Sequence, residues 1–260
     1  MKDAGFRKYH GDGVDVDWQR VLVMQEICDQ VDGVTTAKPY SVDLANKSIV
    51  YQRIDFPAPV IQFVGDTRVF EELARLLLRM HRTHLAGTAW QGSTEPCPLQ
   101  QLGVSAHDAA MLHQTMPPSW IHADFWHGNV FHEPAGGFVV IDPVPTRFAP
   151  FRRYLFGCGA LDVASMYMGL LLCHPLHRQL RLDVSRHLRA GEAFLHAYLE
   201  EVGASSAGLL DAVRALSRLL ALNFIDGYSQ RLTPSLAWAK RHAAERIVRR
   251  VDCLIDWGKR

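Results

Sequence analysis

Trp120 to Pro143 reads WIHADFWHGNVFHEPAGGFVVIDP, and the organisation of the whole chain follows from this stretch. Val130-Phe131 and Phe138-Val139-Val140-Ile141 are β-rich apolar runs, and Glu133-Pro134-Ala135-Gly136-Gly137 between them concentrates turn formers. The pattern predicts strand, tight turn, strand. A hairpin of that length returns the chain beside its start, which brings Asn129 and Asp142 together at its open end, with Asp124 on the loop leading in. Two carboxylates and an amide converging there form an oxygen-rich site suited to a hard divalent cation such as Mg²⁺. The alternative is a hairpin with solvated polar ends.

Upstream lies a small mixed region. Residues 5–10 (GFRKYH) read as a short strand, and Asp15 or Asp17 as the cap of a helix running to about Gln30, with Val21, Val23, Met24 and Ile27 on its apolar side. Two β-rich runs follow, Val34 to Val42 and Ser48 to Ile54, with a turn at 43–47 between them. Pro57 and Pro59 read as a linker. From Thr67 to Thr83 the residues Phe70, Leu73, Leu77 and Met80 recur at helical spacing and predict a helix with one buried face. A Gly/Pro/Ser-rich stretch, 87–103, precedes a short helix near His107 to His113. Beyond Leu161 the pattern gives about four helices, broken near Pro175, Gly203 to Gly208 and Thr233-Pro234.

Composition narrows the function classes. The 260 residues are 48% hydrophobic and 21% charged, enough for a sizeable core and unlike fibrous or disordered chains. Lys+Arg 28 against Asp+Glu 27 leaves +1, so no global field draws the chain to nucleic acid or to an acidic membrane. Cys28, Cys97, Cys158, Cys173 and Cys253 are scattered and never spaced C-x-x-C, which fits reduced thiols in a cytoplasm. Met1 to Gly13 lacks the apolar core of a secretory signal, and the apolar run Leu161 to Cys173 carries Asp162 and is too short to span a bilayer.

His122-Ala123-Asp124-Phe125-Trp126-His127-Gly128-Asn129 is an H-x-D-x-x-x-x-N pattern, followed by Ile141-Asp142-Pro143 and by Leu161-Asp162-Val163-Ala164. In these residues the chain resembles the aminoglycoside phosphotransferase and choline kinase-like superfamily, small-molecule relatives of protein kinases. Its sharp motifs span 121–164, although the order of elements follows the family from about Phe6 to Tyr228. The resemblance implies an α+β, two-lobed protein kinase-like fold. A reduced N-terminal β-containing lobe, 1–56, would bind nucleotide, and a mostly helical C-terminal lobe, 57–260, would hold the catalytic loop and metal site. It further implies ATP and Mg²⁺ as cofactors and a small-molecule hydroxyl acceptor as partner. Asp124 takes the place of the catalytic base, His122 braces the loop, and Asn129 and Asp142 take the place of the metal ligands. Asp162 starts the next helix and supports the loop. Pro143, where protein kinases carry Phe-Gly, and the lack of A-P-E point to the small-molecule branch.

The family also pairs a small-lobe lysine with a glutamate on the following helix to orient the phosphates. Lys8 and Glu26 match that order; read without the resemblance they are surface charge and an exposed helix face. Seven residues precede Lys8, which leaves no room for two strands and a glycine-rich loop. That departure keeps a second reading open, a non-catalytic pseudokinase or nucleotide-binding module. Tyr51 to Pro57 would form the hinge beside the adenine.

Thirteen histidines raise a metal hypothesis at His81/His84 and at His122, His127 and His132, but no H-E-x-x-H occurs and the spacing does not share a face. A P-loop and a G-x-S-x-G elbow are also absent from the sequence. An anionic acceptor cleft could draw on Glu192, Glu200, Glu201 and Asp226; Arg147, Arg152 and Arg153 lie close after the metal motif, and Arg178, Arg181, Arg186, Arg189, Lys240, Arg241, Arg246, Arg249 and Arg250 read as solvated helix faces. Trp126 and Tyr228 are candidates for the acceptor pocket or for core packing. The acceptor class stays open.

Overall fold

A computed structural model describes residues 5–54, 57–85, 99–116, 118–143, 156–173, 185–203 and 207–229, then 233–236, 238, 241–242, 245–246 and 249. Strand β1 (Phe6–Tyr9) leads into helix α1 (Val14–Gln30), followed by β2 (Val34–Thr35), β3 (Pro39–Asp43), β4 (Ser48–Tyr51) and β5 (Ala58–Pro59). Helices α2 (Thr67–Arg82) and α3 (Ala106–Thr115) come next, then β6 (Pro118–Trp120), β7 (Val130–His132), β8 (Phe138–Val140) and β9 (Phe156–Cys158). Helices α4 (Ala160–Met168), α5 (Ser185–Val202) and α6 (Ala207–Ser229) complete the order.

The first sheet has strand order β1-β4-β3 and is antiparallel, with Lys8 opposite Ile49. Val14, Val21, Ala37, Ile49 and Tyr51 form a small core beneath it. A second sheet, β2-β8-β7-β5, is built on the hairpin β7–β8, in which Val130 faces Val140 and His132 faces Phe138. Gly136 and Gly137 turn the hairpin with φ of 91° and 103°, a region closed to most side chains. Gly137 has a second reason to lack a side chain, since a Cβ there would sit 3.0 Å from the Gly33 carbonyl. That carbonyl accepts the Phe138 N–H at 2.9 Å where β2 joins β8 in parallel.

The predicted run 34–42 is therefore two strands in different sheets. Residues 36–38 separate the pairing of β2 with β8 from that of β3 with β4, and Pro39, which has no N–H to donate, begins the second. The predicted proline linker also corrects itself: Ala58–Pro59 pairs with β7 at the sheet edge, a position where a missing N–H is tolerated. At the start of α1 neither Asp15 nor Asp17 is the cap. Gly13 occupies that position at φ 92°, and Asp17 is buried against His10 instead.

Helix α2 follows its apolar spacing. Asp66 caps it by accepting the Arg68 N–H at 3.1 Å, and Phe70, Leu73, Leu77 and Met80 are buried with Val69, Ala74, Leu76 and Leu78. Each such Leu or Phe contributes about 1.5–3 kcal/mol on leaving water. This face packs chiefly on α5, in the main core that also holds α3, α4 and α6. Every residue of α4 is buried, which accounts for the apolar run around Leu161. No helix among the described residues is long and apolar enough to cross a membrane.

Candidate active site

The loop between β6 and β7 carries the H-x-D-x-x-x-x-N residues, and alternation along it sets their directions. Ile121, Ala123 and Phe125 point into the core, and Asp124 between them is half-buried as a residue. His122 is buried and used as a strut. Its Nδ1 accepts the Asp124 N–H at 3.2 Å, and its Nε2 donates to the Ile141 carbonyl at 3.0 Å. Both bonds together require the neutral ring protonated on Nε2. Burial holds its pKa below the ordinary histidine value against the pull of Asp162 and Asp142.

Asn129 donates from Nδ2 to the Asp124 carboxylate at 2.8 Å and to its carbonyl at 3.0 Å. Its own carbonyl accepts the Ile141 N–H at 3.0 Å, one residue past the ladder, which puts Asp142 alongside it. Asp142 holds φ 59°, a left-handed conformation that aspartate tolerates better than most residues. The hairpin thus brings together the three oxygen-bearing residues that the sequence pattern singles out. Desolvation first, and the Asp142 charge second, push the Asp124 pKa up from 3.8 to about 8, opposed by Asn129 and Lys8. Among the described residues no group of three or more His, Cys, Asp or Glu side chains is placed to share a metal ion. The oxygen donors here are two carboxylates and an amide, hard ligands of the kind a divalent cation such as Mg²⁺ takes, so the set fits it.

Lys8 projects from β1 to ion-pair with Asp142. Glu26 is half-buried on α1 and forms no ion pair with Lys8 in the structure. The connection between β1 and α1 is made elsewhere: His10 Nδ1 meets Asp17 at 3.1 Å and His10 Nε2 meets the Tyr51 hydroxyl at 3.1 Å. Tyr51, expected at the hinge, is buried in the small core and stacks on Phe6 with ring centroids 5.2 Å apart. Within the hinge segment, residues 55 and 56 lie outside the described residues.

Asp162, wholly buried at the start of α4, accepts the backbone N–H of His122 at 2.7 Å and of Ala123 at 2.8 Å. Glu192 accepts from Arg214 and from the Tyr167 hydroxyl. Glu201 lies 3.4 Å from Arg75. Arg186 and Arg189 are exposed. Arg147, Arg152, Arg153, Arg178, Arg181, Lys240 and Arg250, with the side chains of Asp226 and Tyr228, lie outside the described residues.

Trp126 is half-buried and packed on His127 with ring centroids 4.7 Å apart. Gly128 makes its position possible, because a Cβ there would fall 2.6 Å from the indole. Gly128→Ala is therefore expected to displace Trp126 and destabilise the protein by about 1–3 kcal/mol, through overpacking of a well-filled site. A lowered thermal midpoint with an altered tryptophan emission spectrum checks it.

The fold that carries this loop is the two-lobed protein kinase-like fold shared by small-molecule kinases and phosphotransferases. No protein-family model and no curated protein sequence matches the chain, so the likeness is one of structure. The chain is similar to choline kinase from Streptococcus pneumoniae, at 13% identity and TM-score 0.53 over 95% of this chain and 86% of that one. An APH(2″) aminoglycoside phosphotransferase in complex with GDP and kanamycin gives 10% identity and TM-score 0.57 over 95% and 86%. A glucosamine kinase with glucosamine, ADP and inorganic phosphate gives 17% identity and TM-score 0.54 over 98% and 76%.

Proposed function

We propose that this protein is an ATP-dependent small-molecule kinase that transfers the γ-phosphoryl group to a hydroxyl of its acceptor. The observation that carries the reading is the convergence of Asp124, Asn129 and Asp142 at the open end of one hairpin, with Lys8 reaching them from β1. Residues 1–56 serve as the nucleotide-binding lobe and 57–260 as the lobe that holds the catalytic loop. Asn129 and Asp142 would hold Mg²⁺, and Lys8, which pairs with Asp142, would orient phosphate oxygens beside it. When bound, Mg²⁺ would supply neutralisation of phosphate charge and would draw down the Asp124 pKa, which burial first and the Asp142 charge second hold up. Asp124 accepts the acceptor's hydroxyl proton; that oxygen bonds to the γ-phosphorus as the bond to the β-γ bridging oxygen breaks, and ADP leaves. Asn129 holds the Asp124 carboxylate in place, and His122 holds the loop behind it. Positioning and charge stabilisation account for most of the acceleration in such transfers.

Glu26 remains a partner for Lys8 in the nucleotide-bound state under this reading. The buried, unpaired thiols of Cys28 and Cys158, both pushed up to about 12 by burial, suit a reducing cytoplasm. Titration calorimetry with a non-hydrolysable ATP analogue tests the proposal without knowledge of the acceptor. Binding that requires Mg²⁺ and is lost with a chelator is expected. No binding, or binding indifferent to the metal, overturns the proposal in favour of a non-catalytic nucleotide-binding module.

A further inference from the structure

We propose that His10, held between Asp17 and Tyr51, is a positioning residue for Lys8 and through it for the phosphate side of the groove. The inference deepens the kinase reading above and rests on Lys8 being the cation that meets the phosphates.

Phe6 and Lys8 lie on one side of β1, and His10 follows them just past its end, where its N–H donates to the Lys47 carbonyl at 2.8 Å. Across the β1–β4 ladder Phe6 pairs with Tyr51 and Lys8 with Ile49, which makes Tyr51 the diagonal neighbour of Lys8 on that side. The Tyr51 ring runs the length of this row. It stacks on Phe6 at one end, with centroids 5.2 Å and planes 18° apart, and its hydroxyl meets His10 Nε2 at 3.1 Å at the other. Lys8 stands between those two fixed points, and its ammonium reaches Asp142. The Tyr51 hydroxyl lies in the field of the same carboxylate: burial first, then the charges of Asp142 and Asp17, push its pKa up.

What fixes Tyr51 is therefore His10, and what fixes His10 is α1. A carboxylate only accepts, so His10 Nδ1 donates to Asp17 at 3.1 Å, and Nε2 of the neutral ring accepts the Tyr51 O–H. The imidazole cannot rotate without breaking both bonds. Its side chain is 1% exposed and that of Asp17 2%, whereas that of Lys8 is 39% exposed. The enclosed network, rather than the open ion pair, is thus the rigid reference. It ties the first turn of α1 to β1 and β4 around the row that carries Lys8. Gly11 and Gly13, at φ 75° and 92°, make the short turn that brings Asp17 back onto His10. An apolar side chain at position 10 would fill the same space and leave Asp17 and the Tyr51 hydroxyl without this link.

The test uses the full chain as wild type, His10→Phe, His10→Gln and Tyr51→Phe, with His10→Phe and Tyr51→Phe also made in a Lys8→Met background. In the ligand-free protein, amine acylation mapped by mass spectrometry reads Lys8 against exposed Lys38. His10→Phe is expected to raise the Lys8-to-Lys38 ratio by about threefold or more, because the ammonium leaves Asp142 more often. Tyr51→Phe, which keeps the ring and loses one bond, is expected to raise it less. His10→Gln, whose amide can donate to Asp17 and accept from Tyr51, is expected to return the ratio toward wild type. His10→Phe is also expected to weaken Mg²⁺-dependent binding of a non-hydrolysable ATP analogue by about tenfold, and by less than about twofold once Lys8 is replaced. A residue that only stabilises the fold would weaken binding equally in both backgrounds. A ratio that is unchanged, or that glutamine fails to restore, overturns the proposal, as does equal loss of affinity with and without Lys8. Should His10→Phe fail to fold, Tyr51→Phe carries the same comparison. Wild type that binds no nucleotide yet shows the acylation response overturns the kinase reading alone and leaves the positioning role supported.

Discussion

Asp142→Asn is expected to lower Mg²⁺-dependent ATP turnover by about 10³-fold, with Mg²⁺-dependent nucleotide binding lost as well. The substitution keeps the shape of the side chain and suits φ 59°, since asparagine tolerates left-handed backbone as aspartate does. What it removes is charge. Asn129 offers an amide oxygen, which cannot hold a divalent cation unaided, and Lys8 loses the anion it pairs with. The unfolding midpoint should move little, because the ion pair is partly exposed and such pairs contribute about 0–1 kcal/mol. Asp142→Ala should be about 1–2 kcal/mol less stable than Asp142→Asn, from backbone strain at a positive φ. Calorimetry and thermal melts on the two variants separate the effects. Full Mg²⁺-dependent nucleotide binding in either variant would remove Asp142 from the proposed metal site.

The contrast between Asp142 and Lys8 shows where the sequence was legible. The hairpin encodes its own closure: the apolar runs, the paired glycines and the positions of Asn129 and Asp142 just outside them are all local pattern. Helix α2 was equally readable, since one face repeats and Asp66 marks its start. Lys8 reaches Asp142 across most of the N-terminal half of the chain, and nothing near either residue specifies that pairing; family order suggested Glu26 instead. Asp17 shows the same difficulty. An aspartate early in a helix reads as a cap, and only the fold reveals that it turns inward to His10.

His81 was the residue most poorly signalled. A histidine in the last turn of a helix, followed by Arg82, has the appearance of a cation favoured by the helix dipole. Its burial depends on α5 crossing at that turn and on Gly159 leaving room, and neither fact is periodic or local. The same reasoning applies to β2 and β5. Two-residue strands are set by the sheet they join, because they bury too little of their own to be recognised from hydrophobic spacing. The parts that escape the sequence are therefore long-range: polar contacts between distant residues, and short strands set by their neighbours.

Asp124→Asn is expected to lower turnover severely and to stabilise the ligand-free protein at the same time. Loss of a general base lowers turnover by about 10²–10⁴-fold. Mg²⁺-dependent nucleotide binding should survive, since the new amide oxygen still accepts from Asn129 and Asp142 is untouched. The stability gain follows from the raised pKa. Asp124 titrates near 3.8 in an unfolded chain and at about 8 in the folded one, so between those values the folded protein carries a proton that the unfolded chain has lost. The stability this group contributes is fully present below about pH 4 and declines as pH rises toward about 8. Asparagine is neutral throughout and removes that decline. Relaxation and water penetration around a buried carboxyl reduce the full linkage value, to about 2 kcal/mol at pH 8, or roughly 4–8 °C in thermal midpoint. Near pH 4 the variant and the wild type should melt together. Adding Mg²⁺ and an ATP analogue should narrow the gap at pH 8, because charge on Asp124 is then compensated in the wild type and has no counterpart in the variant. Thermal melts from pH 4 to 8, with and without those ligands, decide the matter. Equal midpoints at pH 8 in the ligand-free proteins would show that Asp124 is already ionised without cost, and that the repulsion assigned to Asp142 is absent.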